Sequence, residues 1–403
     1  MPRTVRRLLL AGVAVVLLFP PVFSLLVLRR PVWDEALYHL PALARFGPGL
    51  PGLDLLRSYE SAVGPLFYVL FANLTRLFGS HLTFLRLLVF LGAVVAALLF
   101  HRLFAAARRE TGSPDAAVLP ALLLLVSYPY FFTLSGLFMS EPPALALSLA
   151  ALLGYLNWRR TPSLALLALT LCSATAAIYI RQFSLFLPAT FVAGELAAPS
   201  GRRWRWLLML LPAVAFLPLA MLWRGLVPPG LQFRHYPGLA LGNVGSILCW
   251  TGFVCLPWVV TACLRLRRFS LWLLLALVAV PVVLLSPLPG PGVVRALLAA
   301  LPGLLGRALA VLLALAGALA LVLICFRLTA AAATVRTAAL AAVFLLLILA
   351  LGGPTLYERH FLPAIPLLLL AFAESIRLVP ALVWSLAIQL PLAVVQVFRL
   401  SGR

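Results

Sequence analysis

The sequence predicts an all-α polytopic membrane protein with about 12 to 13 transmembrane helices. Of the 403 residues, 64% are hydrophobic and only 10% are charged, whereas about a quarter are charged in an average soluble protein. A soluble globule of this size has too little interior to bury so much apolar surface. A dozen spans of about 20 residues would use most of the hydrophobic positions. We therefore expect a single transmembrane domain over residues 1–403.

The charged residues predict the orientation of these spans. All 31 basic residues are Arg, and the formal net charge is +21. They form short clusters between apolar runs, such as Arg108-Arg109 and Arg159-Arg160, which is typical of cytoplasmic loops. A protein that binds nucleic acid gathers its Arg on one face instead, so we expect no nucleic-acid partner. The pattern predicts a cytoplasmic N-terminus, and the absence of Lys favours the plasma (inner) membrane of a bacterium.

Apolar runs bounded by Arg, Pro or Gly predict thirteen spans. The first begins after Arg6-Arg7 like a signal peptide, but it has no small-residue cleavage site, so we expect it to be retained. The last hairpin, around Pro380, is also compatible with a re-entrant segment. The expected spans lie near residues 8–28, 82–104, 116–134, 142–157, 162–179, 183–198, 205–226, 243–264, 270–287, 304–326, 337–352, 361–376 and 380–398.

The acidic residues point to a site on the outer side of the membrane. There are ten, and four of them fall at the cytoplasmic ends of expected spans. Ionisable groups at membrane depth are costly and are usually functional. A one-sided set of carboxylates therefore predicts an extracytoplasmic site. The outer set is Asp34, Glu35, Asp54, Glu60, Glu141 and Glu358.

The first outer loop, residues 29–81, carries two segments with apolar residues at helical spacing. Trp33 to Phe46 and Gly64 to Phe78 are each too short to cross the bilayer, so we expect interfacial helices. On the first, Asp34 and Tyr38 share a polar face with Glu35 and His39. Pro41 should kink or end this helix. Taken alone, the acidic pair fits a chemical site and fits equally well a first-turn charge that complements the helix dipole.

Five segments together resemble the GT-C superfamily of membrane glycosyltransferases. The sequence WDEALYHLPALARF resembles the acidic motif of the first outer loop, above all in enzymes that use dolichyl-phosphate glucose. Bacterial protein-mannosyltransferase-like enzymes are similar as well. The other segments follow in family order and resemble its further motifs. They are Gly64 to Tyr68, Ser140 to Pro142, Tyr179 to Gln182, and Tyr357 to Pro363.

This resemblance implies a GT-C-like fold and a hexosyltransferase of the cell envelope. The sugar would move from a polyprenyl-phosphate donor to an acceptor hydroxyl of a glycan, lipid or protein. Asp34 would be the catalytic base, and Glu35 would orient the acceptor or the neighbours of Asp34. Arg181, Gln182, Arg359 and His360 would bind the donor phosphate, because guanidinium groups match phosphate oxygens. An interfacial Arg181 that only reaches lipid headgroups is the competing interpretation.

Six further polar residues are candidates for the acceptor site or the pocket. Glu141 also fits a helix cap, and Glu358 also fits a simple partner of Arg359. No closed metal site is indicated and no cofactor is evident, although dependence on a divalent cation stays open. The candidates are Tyr38, His39, Tyr59, Glu60, Glu141 and Glu358.

Two other function classes remain open from the sequence. A transporter or flippase for a lipid-linked or small solute fits the many spans, but it predicts matched halves with broken or ionisable segments near the midplane. No such halving is visible in the sequence. A non-catalytic membrane subunit that binds the acceptor is the third class, and the requirement for Asp34 distinguishes it from an enzyme.

Overall fold

The computed structural model describes residues 2–47, 49–197, 204–234, 238, 240–263, 289–330, 332–352 and 356–400. Within these residues the regular structure is helical, apart from one isolated bridge between Gly238 and Gly352. The predicted all-α class is therefore confirmed. The span expected at residues 270–287 lies outside the described residues.

Eighteen α-helices are described in chain order. They are α1 (Arg3–Leu26), α2 (Leu40–Phe46), α3 (Leu53–Ser58), α4 (Pro65–Phe78), α5 (Leu82–Glu110), α6 (Val118–Val126), α7 (Pro129–Leu134), α8 (Glu141–Arg160), α9 (Leu164–Ile180), α10 (Phe186–Leu196), α11 (Arg205–Trp223), α12 (Leu241–Cys263), α13 (Val293–Ala299), α14 (Gly303–Ala330), α15 (Ala333–Leu351), α16 (Ala364–Ala371), α17 (Leu378–Trp384) and α18 (Leu390–Leu400). A π-turn (Ser385–Gln389) joins the last two, so residues 378–400 form one continuous helical segment.

Seven helical segments of the described chain are long and apolar enough to cross a membrane. The chain is thus a multi-pass membrane protein. The remaining described spans that the sequence predicts are also helical, but they are shorter, broken or less apolar, so the total number of spans stays a prediction. The seven segments are Arg3–Leu26, Leu82–Glu110, Arg205–Trp223, Leu241–Val259, Gly303–Thr329, Ala333–Leu351 and Leu378–Leu400.

Proline explains where one expected span is interrupted. The run at residues 116–134 breaks between Val126 and Pro129. Proline has no N–H for the helical ladder, and it forces the residue before it into an extended conformation. Tyr128 has φ −60° and ψ 128°, as this restriction requires.

Proline also shapes the helix that carries the acidic pair. The helix does not end at Pro41: a π-turn over Glu35–His39 precedes α2, and the Leu40 N–H bonds to the Glu35 carbonyl. The wider π-turn accommodates a ring that would clash in a regular helix. The polar residues of this turn face inward, since Glu35 and His39 are buried while Leu37 is 68% exposed.

The described chain divides into two compact units. The loop unit comprises Pro2–His101, Val126–His235 and Ala393–Arg403, and the C-terminal unit comprises Arg102–Leu125 and Tyr236–Leu392. The loop unit therefore holds the first outer loop, α8 and α9. The C-terminal unit holds α12 to α17.

An aromatic core supports the first outer loop in the loop unit. The rings of Phe67, Phe71 and Phe138 lie with centroids 4.7 to 5.0 Å apart. The indole of Trp223 on α11 donates a hydrogen bond of 2.7 Å to the Leu56 carbonyl on α3. Burial of large aromatic side chains contributes strongly to packing, so the loop has a defined structure.

In the C-terminal unit, two glycines allow α12 and α14 to touch through their backbones. A Cβ atom at Gly252 would lie 1.8 Å from the Leu313 carbonyl oxygen, and one at Gly317 would lie 1.9 Å from that of Leu248. Small residues at such crossings permit the close approach of membrane helices. Any larger residue there would separate the two helices.

Candidate functional site

The two acids of the predicted catalytic pair have different surroundings. Asp34 is half-buried, whereas Glu35 is completely buried. The Glu35 carboxylate accepts bonds from Arg86 Nε (2.9 Å) and Nη2 (2.6 Å) and from the backbone N–H groups of Val32 (3.0 Å) and Phe138 (2.5 Å). A carboxylate has about four acceptor positions. Glu35 is thus fully engaged by the protein, which favours a positioning role over direct contact with an acceptor.

A buried hydrogen-bonded chain lies next to the acidic pair. The Tyr68 hydroxyl donates to Ser61 Oγ at 2.6 Å and lies 3.0 Å from Nδ1 of His39. With the Tyr68 hydrogen directed at Ser61, the arrangement favours the His39 tautomer that carries its proton on Nδ1. Tyr68 is fully buried and His39 nearly so. The chain therefore fixes the ring of His39.

Several predicted site residues act electrostatically on Tyr68. Burial raises the pKa of Tyr68; the Ser61 hydrogen bond and the Arg181 charge lower this pKa, and the charges of Glu141 and Asp34 raise it. Burial is the largest cause, so the net direction is upward, and the Tyr68 hydroxyl keeps its proton as the donor to Ser61.

Arg181 and Glu141 form an ion pair between the ends of α9 and α8. Nη2 of Arg181 bonds to Oε1 of Glu141, and the two side chains are 11% and 3% exposed. Arg181 Nε and the neighbouring Gln182 Nε2 are buried, and within the described chain neither makes a hydrogen bond. Buried donors are normally satisfied. The guanidinium Nε of Arg181 and the neighbouring amide of Gln182 are therefore suited to donate to the oxygens of an anion.

A glycine holds the segment before Arg181 in place. The Gly64 N–H donates to the Ile180 carbonyl at 2.9 Å. A Cβ atom at Gly64 would lie only 2.0 Å from the carbonyl oxygen of Tyr179. The start of α4 therefore contacts the backbone that carries Arg181 and Gln182, and only glycine fits there.

We expect Gly64→Ala to move Arg181 and to weaken binding of the polyprenyl phosphate that the family resemblance implies by about tenfold or more, because misplacement by about 1 Å costs up to about a hundredfold at a site. Gly52→Ala is the matched control: Gly52 precedes α3 as Gly64 precedes α4, with φ values of −70° and −65°. A Cβ atom at Gly52 meets open space. Equal affinities of both variants, measured in detergent, would contradict the expected role of Gly64.

The remaining candidates of the first outer loop differ in accessibility. Tyr59 is 1% exposed, and its hydroxyl donates to the Val63 carbonyl at 2.8 Å. Burial raises the pKa of Tyr59 well above its ordinary value, and the neighbouring Tyr68 adds to this rise. Tyr38 is half-buried and Glu60 is exposed. Tyr59 thus belongs to the aromatic core, whereas Tyr38 and Glu60 are open to a ligand.

In the C-terminal unit, Glu358 supports the start of α13. It is completely buried, and its Oε2 accepts the Val294 N–H at 2.9 Å. The Glu358 N–H donates to the Pro291 carbonyl at 3.2 Å. A Cβ atom at Gly292 would lie 2.3 Å from Glu358 Oε2, so glycine makes room for this carboxylate. These contacts give Glu358 a structural function in this unit.

Arg359 and His360 lie beside Tyr357 in the same unit. The Arg359 guanidinium carbon lies 5.1 Å from the centroid of the Tyr357 ring, within range of a cation–π interaction. The His360 ring meets the same tyrosine edge-on at 5.7 Å. Tyr357 thus orients both predicted phosphate ligands.

The sequence interpretation overlooked Arg86. It is the fifth residue of α5, and its side chain is 4% exposed. A signal was present: an isolated Arg inside an apolar span must find a carboxylate or carbonyl partner. Among the described residues no group of three or more His, Cys, Asp and Glu is arranged to hold a metal ion.

No protein-family model and no curated protein matches the sequence. Among solved structures, the chain is similar to the crystal structure of ArnT from Cupriavidus metallidurans bound to undecaprenyl phosphate, with a TM-score of 0.43 and 16% sequence identity. The match covers 98% of this chain and 78% of that chain.

Proposed function

We propose that this protein is a GT-C membrane glycosyltransferase that acts on the extracytoplasmic face of a bacterial plasma membrane. It moves a hexose from a polyprenyl-phosphate donor to an acceptor hydroxyl. The observation that carries the proposal is the ion pair of Arg181 with Glu141, beside which Arg181 Nε and Gln182 Nε2 are buried without a hydrogen-bond partner in the described chain. A cation with a hydrogen-bond donor to spare suits the departing phosphate, and a half-buried carboxylate such as Asp34 suits the proton of the acceptor.

Asp34 accepts the proton of the acceptor hydroxyl in this mechanism. The acceptor oxygen attacks the anomeric carbon and forms the new glycosidic bond. The bond from the anomeric carbon to the phosphate oxygen breaks, and the polyprenyl phosphate leaves with its electron pair. The anomeric configuration is inverted, because a single displacement occurs.

Arg181 and Gln182 bind the donor phosphate. Arg181 Nε and Gln182 Nε2 supply the two donors, and charge-assisted bonds of this kind are about twice as strong as neutral ones. They stabilise the charge that develops on the leaving phosphate. Tyr38 and Glu60 contact the acceptor in this proposal. Arg359 and His360, which lie beside Tyr357 in the C-terminal unit, stay predicted phosphate ligands.

The test compares lipid-linked and envelope glycans of a deletion strain with those of its parent by mass spectrometry. We expect one glycan to lack a hexose in the deletion strain and to regain it with the wild-type gene. Asp54→Asn should restore it too, because Asp54 is exposed on the same loop, whereas Asp34→Asn should not.

Identical glycan pools in both strains would overturn the proposal. Loss of the hexose together with accumulation of the lipid-linked sugar in the inner leaflet would favour a flippase instead. Restoration by Asp34→Asn would indicate a subunit without catalytic activity.

A further inference from the structure

Arg86 is a buried cation whose hydrogen-bonding capacity is fully used. An Arg side chain carries five N–H donors. Two of them reach the Glu35 carboxylate, and the others reach the carbonyl oxygens of Ser24, Leu28 and Arg30. No donor is left for a substrate, so Arg86 acts on the protein itself.

Three of these bonds go to carbonyl oxygens in the last turn of α1 or just after it. The last four carbonyls of a helix have no partner within it. Ser24 belongs to this last turn, and Leu28 and Arg30 follow the helix. Arg86, on α5, thereby connects the end of α1 to Glu35, the residue that follows Asp34.

Glu35 connects Arg86 to the segment that carries Glu141, the partner of Arg181. Its Oε1 accepts the Phe138 N–H at 2.5 Å, and its Oε2 accepts the Val32 N–H at 3.0 Å. Phe138 lies three residues before Glu141, the partner of Arg181, and Val32 lies two residues before Asp34. One ion pair therefore fixes the backbone on both sides of the site.

We propose that Arg86 and Glu35 are positioning residues that hold Asp34 and the Phe138–Glu141 segment in the geometry for transfer. This inference rests on the proposed function. It assigns Glu35 to the protein's own structure, because all its acceptor positions are filled. It also gives a reason for an Arg inside an apolar span, since a buried ion pair with every hydrogen bond satisfied tolerates burial.

Three variants test this inference in the full-length protein. Glu35→Gln keeps the shape, but its amide NH₂ cannot accept, so either the Val32 or the Phe138 N–H loses its partner. Arg86→Lys keeps the charge with three donors in place of five. The double variant Glu35→Met/Arg86→Met removes both charges and leaves neither one buried alone. Asp54→Asn and Arg76→Lys are the controls, since both residues are exposed.

Three quantities are measured: sugar turnover, affinity for a polyprenyl monophosphate, and hydrogen exchange of the peptides containing Val32 and Phe138. We expect turnover to fall about 10- to 100-fold in all three variants, with affinity unchanged within about twofold. Exchange should rise in Glu35→Gln in at least one of the two peptides. In the double variant the thermal unfolding midpoint should return towards that of wild type, but the turnover should stay low. If the pair only stabilised the fold, turnover would recover together with the midpoint.

The outcomes separate the alternatives. Reduced sugar turnover in Glu35→Gln, with wild-type turnover in Arg86→Lys, would mean that Glu35 contacts the substrate directly. This result would overturn the inference. Recovery of both stability and turnover in the double variant would overturn it as well. A wild-type protein without transfer activity, but with both peptides protected from exchange, would instead overturn the proposed function.

Discussion

Replacement of Asp34 by Asn is expected to reduce sugar transfer by about 10²- to 10⁴-fold, the usual contribution of a general base. Asn has nearly the same shape as Asp and keeps hydrogen-bonding capacity, but it cannot take up the acceptor's proton. The ion pair of Glu35 with Arg86 is untouched by this change, so the fold should persist. The measurement is the time course of hexose transfer by the purified protein in lipid nanodiscs.

Two comparisons make this result specific. Affinity for a polyprenyl monophosphate should stay within about twofold of wild type, because the donor phosphate is bound by other residues. Asp54→Asn, on an exposed position of the same loop, should transfer at the wild-type rate. Asp34→Asn activity within about threefold of wild type would refute a proton-accepting role for Asp34.

The parts of the structure that depend on local sequence were predictable. Apolar runs of 20 residues or more predict helices such as α1 and α5, because each buries its own backbone polar groups. Helical spacing in the first outer loop likewise predicts α4 and the helix around Asp34. The resemblance to a known superfamily named Asp34 as the base and Arg181 as a phosphate ligand, and both roles stay predictions.

The partners of the buried charges were not predictable. Arg86 and Glu35 are 51 residues apart, and Arg181 and Glu141 are 40 apart. No periodicity within a helix relates such positions, and only tertiary packing brings them together. The sequence also did not predict that Glu35 and His39 point into the protein interior. A π-turn before Pro41 makes this direction possible.

Replacement of Arg181 by Gln is expected to have two separate effects. Donor binding should weaken about 10- to 100-fold, because one charge-assisted hydrogen bond contributes roughly 1.5 to 3 kcal/mol. Stability should fall by about 3 to 5 kcal/mol, because removal of one member of a buried pair leaves an uncompensated charge. Glu141, at 3% exposed, is that remaining charge.

The double variant Arg181→Gln/Glu141→Gln separates these effects. It removes both charges, so its thermal unfolding midpoint should recover towards that of wild type. Its affinity for a polyprenyl monophosphate should remain low, since the cation that attracts the phosphate is still missing. Arg76→Gln, a change at an exposed Arg of α4, should alter neither quantity.

Arg181 is a phosphate ligand only if affinity and stability respond differently in these variants. A purely structural ion pair requires that affinity recover together with the unfolding midpoint in the double variant. An Arg that merely contacts lipid headgroups requires no loss of affinity in either variant. The orphaned Nε of Arg181 and Nε2 of Gln182 favour the first result, because buried donors of this kind gain most from an oxyanion partner.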